Sequence, residues 1–201
     1  MLILASSSPT RKALLQQAGL RFAIRPPAID ERAIEAAALG KSADPSDIAM
    51  LLADAKARSV SQREPLATVI GADQVLATEQ NELLHKPATL AAARAQLKTL
   101  RGKTHRLHAG VALARGDAML WSHVETAELT MRDFSDEELD AVMAQEGEAL
   151  LSSVGGYRLE GPSIRLFQTI IGDYFAILGL PLLPLLAALR RHAPETPRAA
   201  A

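Results

Sequence analysis

The sequence predicts an α/β fold with a mixed, twisted sheet and flanking helices. Three observations predict it. Short apolar runs that suit strands alternate with segments whose apolar residues recur at helical spacing. Cap-and-proline signals open the helical segments and glycines close them. At 201 residues and 48% hydrophobic, the chain can build a substantial core and is not a disordered polymer.

Each element follows in order. Leu2 to Ala5 reads as a buried strand. Ser8 then serves as a helix N-cap, with Pro9 at the first helical position and Gly19 as the stop. Phe22 to Ile24 suits a second strand. Asp44-Pro45 repeats the start signal, and Ile48, Leu51, Leu52 and Ala55 line one face of the helix that follows. Thr68 to Leu76 is a β-type run broken by Gly71. Leu90, Ala93, Leu97 and Leu100 mark a further helix, ended by Gly102. His105 to Ala114 and Ala118 to Met131 read as a hairpin around Arg115-Gly116-Asp117. Ser135 and Glu138 form a capping box, with Phe134 and Leu139 as its hydrophobic staple. Ile164 to Ile171 reads as a strand, and a last helix starts near Pro181. With no repeat or linker in view, residues 1–191 are expected to form a single domain, and the Pro- and Ala-rich 192–201 a flexible C-terminal tail.

Composition removes several function classes. A formal net charge of −1 gives no basic surface for nucleic acid. The absence of cysteine excludes disulfides, zinc–thiolate sites and a cysteine nucleophile, and fits a cytoplasmic setting. The N-terminus has no basic leader, and the apolar run from Phe175 to Leu189 is too short and too interrupted to insert in a membrane.

Five motifs carry candidate chemistry. Ser6-Ser7-Ser8-Pro9-Thr10-Arg11-Lys12 places hydroxyls and cations where a strand gives way to a helix, a setting that favours an anion such as a phosphate chain. It reads equally as an ordinary cap. Asp30-Glu31 offers two carboxylates for a hard cation, or the charged start of a helix. In Val69-Ile70-Gly71-Ala72-Asp73, an apolar strand delivers a single carboxylate, costly to bury unless paired or metal-bound. Lys56, beside an apolar helix face, and Lys86, before Pro87, become meaningful only if they converge on one phosphate site. In Gly155-Gly156-Tyr157-Arg158-Leu159-Glu160-Gly161, Tyr157 offers a ring for base stacking and Glu160 two acceptors for base N–H groups; a plain turn is the other reading.

Taken together these motifs resemble the Maf family, over roughly residues 1 to 191. The opening Leu2 to Leu15, then Asp30-Glu31, the segment around Lys56, Ile70 to Asp73 and Lys86-Pro87 follow in the family's order. Gly172-Asp173-Tyr174 through Gly179-Leu180-Pro181-Leu182 is similar to its C-terminal motif. The resemblance implies a Maf/ITPase-like fold with a cleft between two lobes, usually as a homodimer. It implies hydrolysis of a nucleoside triphosphate to a monophosphate and pyrophosphate with a divalent metal cation, Mg²⁺ or Mn²⁺. On it, Ser8, Arg11, Lys12, Lys56 and Lys86 hold phosphate, Glu31 and Asp73 serve metal and water, and Asp73 is the catalytic proton acceptor. Tyr157, Arg158 and Glu160 become the base-recognition set.

The chain departs from the commonest family pattern at Thr10, at Ser152-Ser153 and at Glu160, where that pattern has an arginine, an Asp-Lys pair and a glutamine. The branch acting on 7-methyl-GTP shares those departures, the Asp73-Gln74 pairing and a basic residue at 158, so this chain resembles that branch more. The alternatives are a dTTP/UTP-type pyrophosphatase and a nucleotide-binding regulator of septum formation.

Overall fold

A computed structural model describes residues 1–194. Of the tail expected over 192–201, residues 195–201 lie outside the described residues, while His192 is the last residue of the final helix. The elements run β1 (Leu2–Ala5), α1 (Pro9–Gln17), β2 (Ala23–Ile24), α2 (Glu31–Leu39), α3 (Pro45–Ser61), β3 (Thr68–Thr78), β4 (Leu83–Leu84), α4 (Leu90–Leu100), β5 (Thr104–Arg115), β6 (Ala118–Met131), α5 (Asp136–Glu146), β7 (Phe167–Ile171), α6 (Tyr174–Ile177) and α7 (Leu182–His192). The strand order is β2-β1-β3-β5-β6-β7, with β4 also on β3. β1 pairs in parallel with β2 and β3, whereas β3–β4 and β6–β7 are antiparallel, so the sheet is mixed as predicted.

The chain forms two compact units. The first comprises residues up to Gln74, His108–Glu125 and Asp173 onwards; the second comprises Val75–Leu107 and Thr126–Gly172.

In the first unit, strand alternation divides the core into two layers. Leu2, Leu4, Ile70, Ala72, Val111 and Leu113 pack with α1 and α7, against Leu14, Leu15, Leu185 and Leu189. Ile3, Ala5 and Val69 face the other way, toward Val60 of α3. Gly71, Ala112 and Gly110 share that second face, and α3 lies unusually close to it. A Cβ on Gly71 would sit 2.2 Å from the Ala53 carbonyl oxygen, and one on Gly110 2.4 Å from that of Ala49. The glycines and the alanine strip Ala49, Ala53 and Ala57 therefore let helix backbone meet strand backbone.

This approach turns α3 away from its expected orientation. Leu51, placed on the apolar face by spacing, is 46% exposed, while Lys56 lies on the buried face at 6%. The alanines, weak markers of periodicity, choose the face because only they fit against the glycines.

In the second unit the capping box forms: Glu138 N donates to Ser135 Oγ (3.2 Å) and Ser135 N to Glu138 Oε2 (3.0 Å). Phe134 and Leu139 are buried as a staple requires. Asp136 takes ion pairs from Arg94, Lys98 and Arg101, fastening α4 to the start of α5 and holding its carboxyl well below the usual range. The strand expected from Ile164 begins only at Phe167, because Pro162–Leu166 forms a 3-10 turn.

Candidate active site

β1 ends at Ala5, which is in register with Gly71 of β3, while β3 runs on to Thr78. Asp73 thus lies two residues past the end of its parallel neighbour, inside a strand that runs two residues beyond the expected Leu76. In open α/β sheets the carboxyl ends of the strands are where ligands bind. Asp73 shares the α3 face with Gly71, and Lys56, one residue before the Ala57 that touches Gly71, reaches it. The Lys56 ammonium stands 2.5 Å from Asp73 Oδ1 and 2.9 Å from Glu31 Oε1. Lys56 and Asp73 side chains are 8% and 13% exposed, whereas Glu31 is 51% exposed and forms the open side of the group.

Glu31 stands at the first position of α2, a helix that sequence offered only as an alternative. Asp30 is its N-cap, accepting from Ala33 N at 3.0 Å, so the two adjacent carboxylates divide between capping and the site.

Arg11 of α1 stands within the electrostatic reach of Asp73 and Glu31. Ser8 caps the helix as predicted, its Oγ accepting from Arg11 N (3.4 Å), and its own N–H donates to Ser6 Oγ (3.2 Å). Arg11 is buried, with Nε donating to the Gly179 carbonyl (2.8 Å) and Nη1 to Ser6 Oγ (3.3 Å). Burial pushes its pKa down, opposed by the fields of Asp73 and Glu31. Lys12 points outward and is exposed.

Sequence reasoning missed what holds this arrangement. Gln74, on the strand face opposite Asp73, donates its amide to the carbonyls of Ala176 (3.0 Å) and Ile177 (2.9 Å) at the end of α6. Asp173 caps the start of that short helix, accepting from Ala176 N at 2.8 Å. Gly179 follows with φ +94°, a conformation that presents its carbonyl to Arg11. The C-terminal motif thus acts as a bracket for Arg11. Ser6, Gln74 and Gly179 all stood inside motifs already noticed, but nothing in their spacing assigned them these partners.

In the second unit the residues expected to read a base separate into two kinds. Tyr157 is 3% exposed, its hydroxyl 2.8 Å from His105 Nε2 and its ring edge-on to Phe167 at 4.9 Å. A ring so enclosed has no free face for stacking; it is core. Gly155 serves that ring, since a Cβ there would lie 2.1 Å from Tyr157 Cε1. Arg158 and Glu160 are each about one-third exposed, with Arg158 Nε 3.5 Å from Glu160 Oε1. A carboxylate that sequence did not single out lies behind them. Glu146, 1% exposed, stands 3.5 Å from Arg158 Nη1. Lys86 is exposed in the same unit, just before the buried Pro87.

The first unit thus holds a largely buried carboxylate, a clamped ammonium and an anchored guanidinium that feels the same two carboxylates. A family model for Maf-like proteins matches residues 1–192, and this chain belongs to the Maf family. A 7-methyl-GTP pyrophosphatase from Brucella abortus is 51% identical over 191 residues, 95% of this chain and 96% of that protein. Its counterpart from Rhizobium meliloti is 48% identical over 190 residues, covering 94% and 95%. A nucleoside triphosphate pyrophosphatase from Granulibacter bethesdensis is 49% identical over 191 residues, covering 95% and 96%. Among solved structures, a HAM1 protein from Coxiella burnetii superposes with a TM-score of 0.45 at 17% identity, over 66% of this chain and 73% of that one. Among the described residues no helix is long and apolar enough to cross a membrane.

Proposed function

We propose that this protein is a nucleotide pyrophosphatase that hydrolyses the α–β phosphoanhydride of a nucleoside triphosphate to a monophosphate and pyrophosphate. The observation that carries the reading is the Lys56 ammonium held between Asp73 at 2.5 Å and Glu31 at 2.9 Å, beside a buried Arg11. Two cations and two carboxylates balance. A triphosphate adds several negative charges, which Lys12 and Lys86 offset only in part.

That uncompensated charge, beside two hard carboxylates that share one ammonium, suits a divalent cation, Mg²⁺ or Mn²⁺. Among the described residues no three His, Cys, Asp or Glu side chains cluster as a metal cage, and substrate phosphates and water would supply the remaining ligands. Glu31 and Asp73 would hold the ion, which would supply neutralisation of phosphate charge.

The chain's own groups do the rest. The α1 N-terminus with Ser8, Arg11 and Lys12 binds phosphate oxygens, and Arg11 is pre-positioned by Gly179. Asp73 takes the proton of the attacking water as the new P–O bond forms and the bridging P–O bond breaks. Lys56 and Lys86 oppose the charge gathering on the departing pyrophosphate.

For the base, we assign recognition to Arg158 and Glu160. A guanine edge presents N1–H and an amino group as adjacent donors, which one carboxylate accepts together. Methylation at N7 makes that base cationic and strengthens its attraction to Glu160. The relatives named 7-methyl-GTP pyrophosphatases, close to half identical over nearly the whole chain, support this preference. The homodimer usual for the family, and the cytoplasmic setting that a cysteine-free chain fits, belong to the same proposal.

The test is a panel of 7-methyl-GTP, GTP, dTTP and UTP, with and without Mg²⁺ or Mn²⁺, scored for pyrophosphate and orthophosphate. Pyrophosphate with metal, fastest from 7-methyl-GTP, is expected. Orthophosphate as the product, or no turnover on any nucleotide, would contradict the reading.

A further inference from the structure

Glu146 is the deepest carboxylate in the second unit, and nothing in its sequence setting explains it. It closes α5, its side chain is 1% exposed, and a buried carboxylate is stable only when charge and hydrogen bonds answer it. Both oxygens are answered by one loop. Oε1 accepts from Ser163 N (2.9 Å) and Ser163 Oγ (2.7 Å), and Oε2 faces Arg158 Nη1 at 3.5 Å. The loop wraps the carboxylate closely, because a Cβ on Gly161 would lie 2.4 Å from Oε1.

Arg158 is therefore shared. Nη1 faces the buried Glu146, while Nε, on another edge of the same rigid plane, faces Oε1 of the exposed Glu160 at 3.5 Å. An exposed pair alone would hold neither partner in place, since such pairs contribute little. Glu146 changes this by fixing the guanidinium from behind and taking up part of its charge. The trio carries one net negative charge, which leaves Glu160 an acceptor strong enough for a donor-rich or cationic base.

We infer that Glu146 is a positioning residue for base selection, acting through Arg158 on Glu160. The inference rests on the base-reading role proposed for that pair. Neutralising Glu146 hands the whole Arg158 charge to Glu160, weakening it as an acceptor. Selectivity should fall while the chemistry at the phosphates is spared.

The experiment is a double-mutant cycle on Glu146→Gln and Glu160→Gln, reading kcat/KM for 7-methyl-GTP, GTP and UTP alongside Tm. Glu146→Gln should lower the 7-methyl-GTP to UTP ratio by about tenfold, the scale of a charged hydrogen bond, with the UTP rate held. The double variant should shift the ratio no further than Glu160→Gln does. If Glu160→Gln moves the ratio and Glu146→Gln does not, or if Glu146→Gln slows every nucleotide equally, the inference is overturned and the base-reading role stands. If neither variant moves it, both fall. Should Glu146→Gln not fold, Arg158→Gln tests the link from its exposed side, and an unchanged ratio there overturns it as well.

Discussion

Arg11 illustrates how a residue can be legible in identity but not in setting. The run Ser8-Pro9-Thr10-Arg11 marked a cap and an anion site, yet gave no hint that the guanidinium is buried and gripped by Gly179, 168 positions away. Long-range partners of this kind leave no periodic trace. Tyr157 shows the converse. Its neighbouring glycines suggested a ligand loop, but Gly155 makes room for its own ring, which packs edge-on to Phe167. Because Arg11 and Lys86 are assigned to phosphate, which every triphosphate shares, Arg11→Ala and Lys86→Ala should lower kcat/KM on all nucleotides alike, by about ten- to a hundredfold. Steady-state kinetics on the nucleotide panel checks this, and a changed order of base preference would place either residue elsewhere.

Elements with strong local signals were readable: the capped start of α1, the capping box of α5, and the β5–β6 hairpin with its turn at Arg115-Gly116-Asp117. The orientation of α3 was not, because it is set by two glycines on strands that sequence cannot pair with it. Those glycines place Lys56 against Asp73, so geometry at Gly71 and Gly110 matters to the site. Gly71→Ala and Gly110→Ala should each destabilise the protein by about 3 kcal/mol or more, since the added methyl meets backbone rather than a movable side chain. Urea unfolding reads this directly, and Gly71→Ala should also lower turnover in the protein that remains folded. A loss under about 0.5 kcal/mol, the level of an ordinary surface change, would mean that α3 can shift freely.

At the scale of the whole molecule, composition and spacing did not mark where one unit gives way to the other, for a simple reason. The chain passes between them after Gln74, Leu107, Glu125 and Gly172, and the first three passages lie inside strands β3, β5 and β6. No linker composition marks a boundary within a strand. Stability against acid is likewise a property of the fold. His105 is fully buried, its Nε2 pairs with Tyr157, its Nδ1 has no hydrogen-bond partner among the described residues, and burial lowers its pKa to about 4. The unfolded ring binds its proton near 6.5, so between those values the unfolded chain holds more protons. The stability due to neutral His105 is thus complete above about pH 6.5 and is lost as pH falls toward 4. NMR titration should find the ring neutral down to about pH 4 in the folded protein, and His105→Phe should flatten the acid limb of the stability curve. A folded-state value near 6.5 would contradict this.

The central claim is that the Glu31–Lys56–Asp73 group performs hydrolysis, and turnover by Asp73→Asn tests it most directly. Asparagine keeps the shape but cannot take a proton or balance a metal's charge. With Tm and circular dichroism showing an intact fold, pyrophosphate release from 7-methyl-GTP should fall by about a hundredfold or more. A folded variant that kept more than roughly a tenth of the wild-type rate would contradict the account.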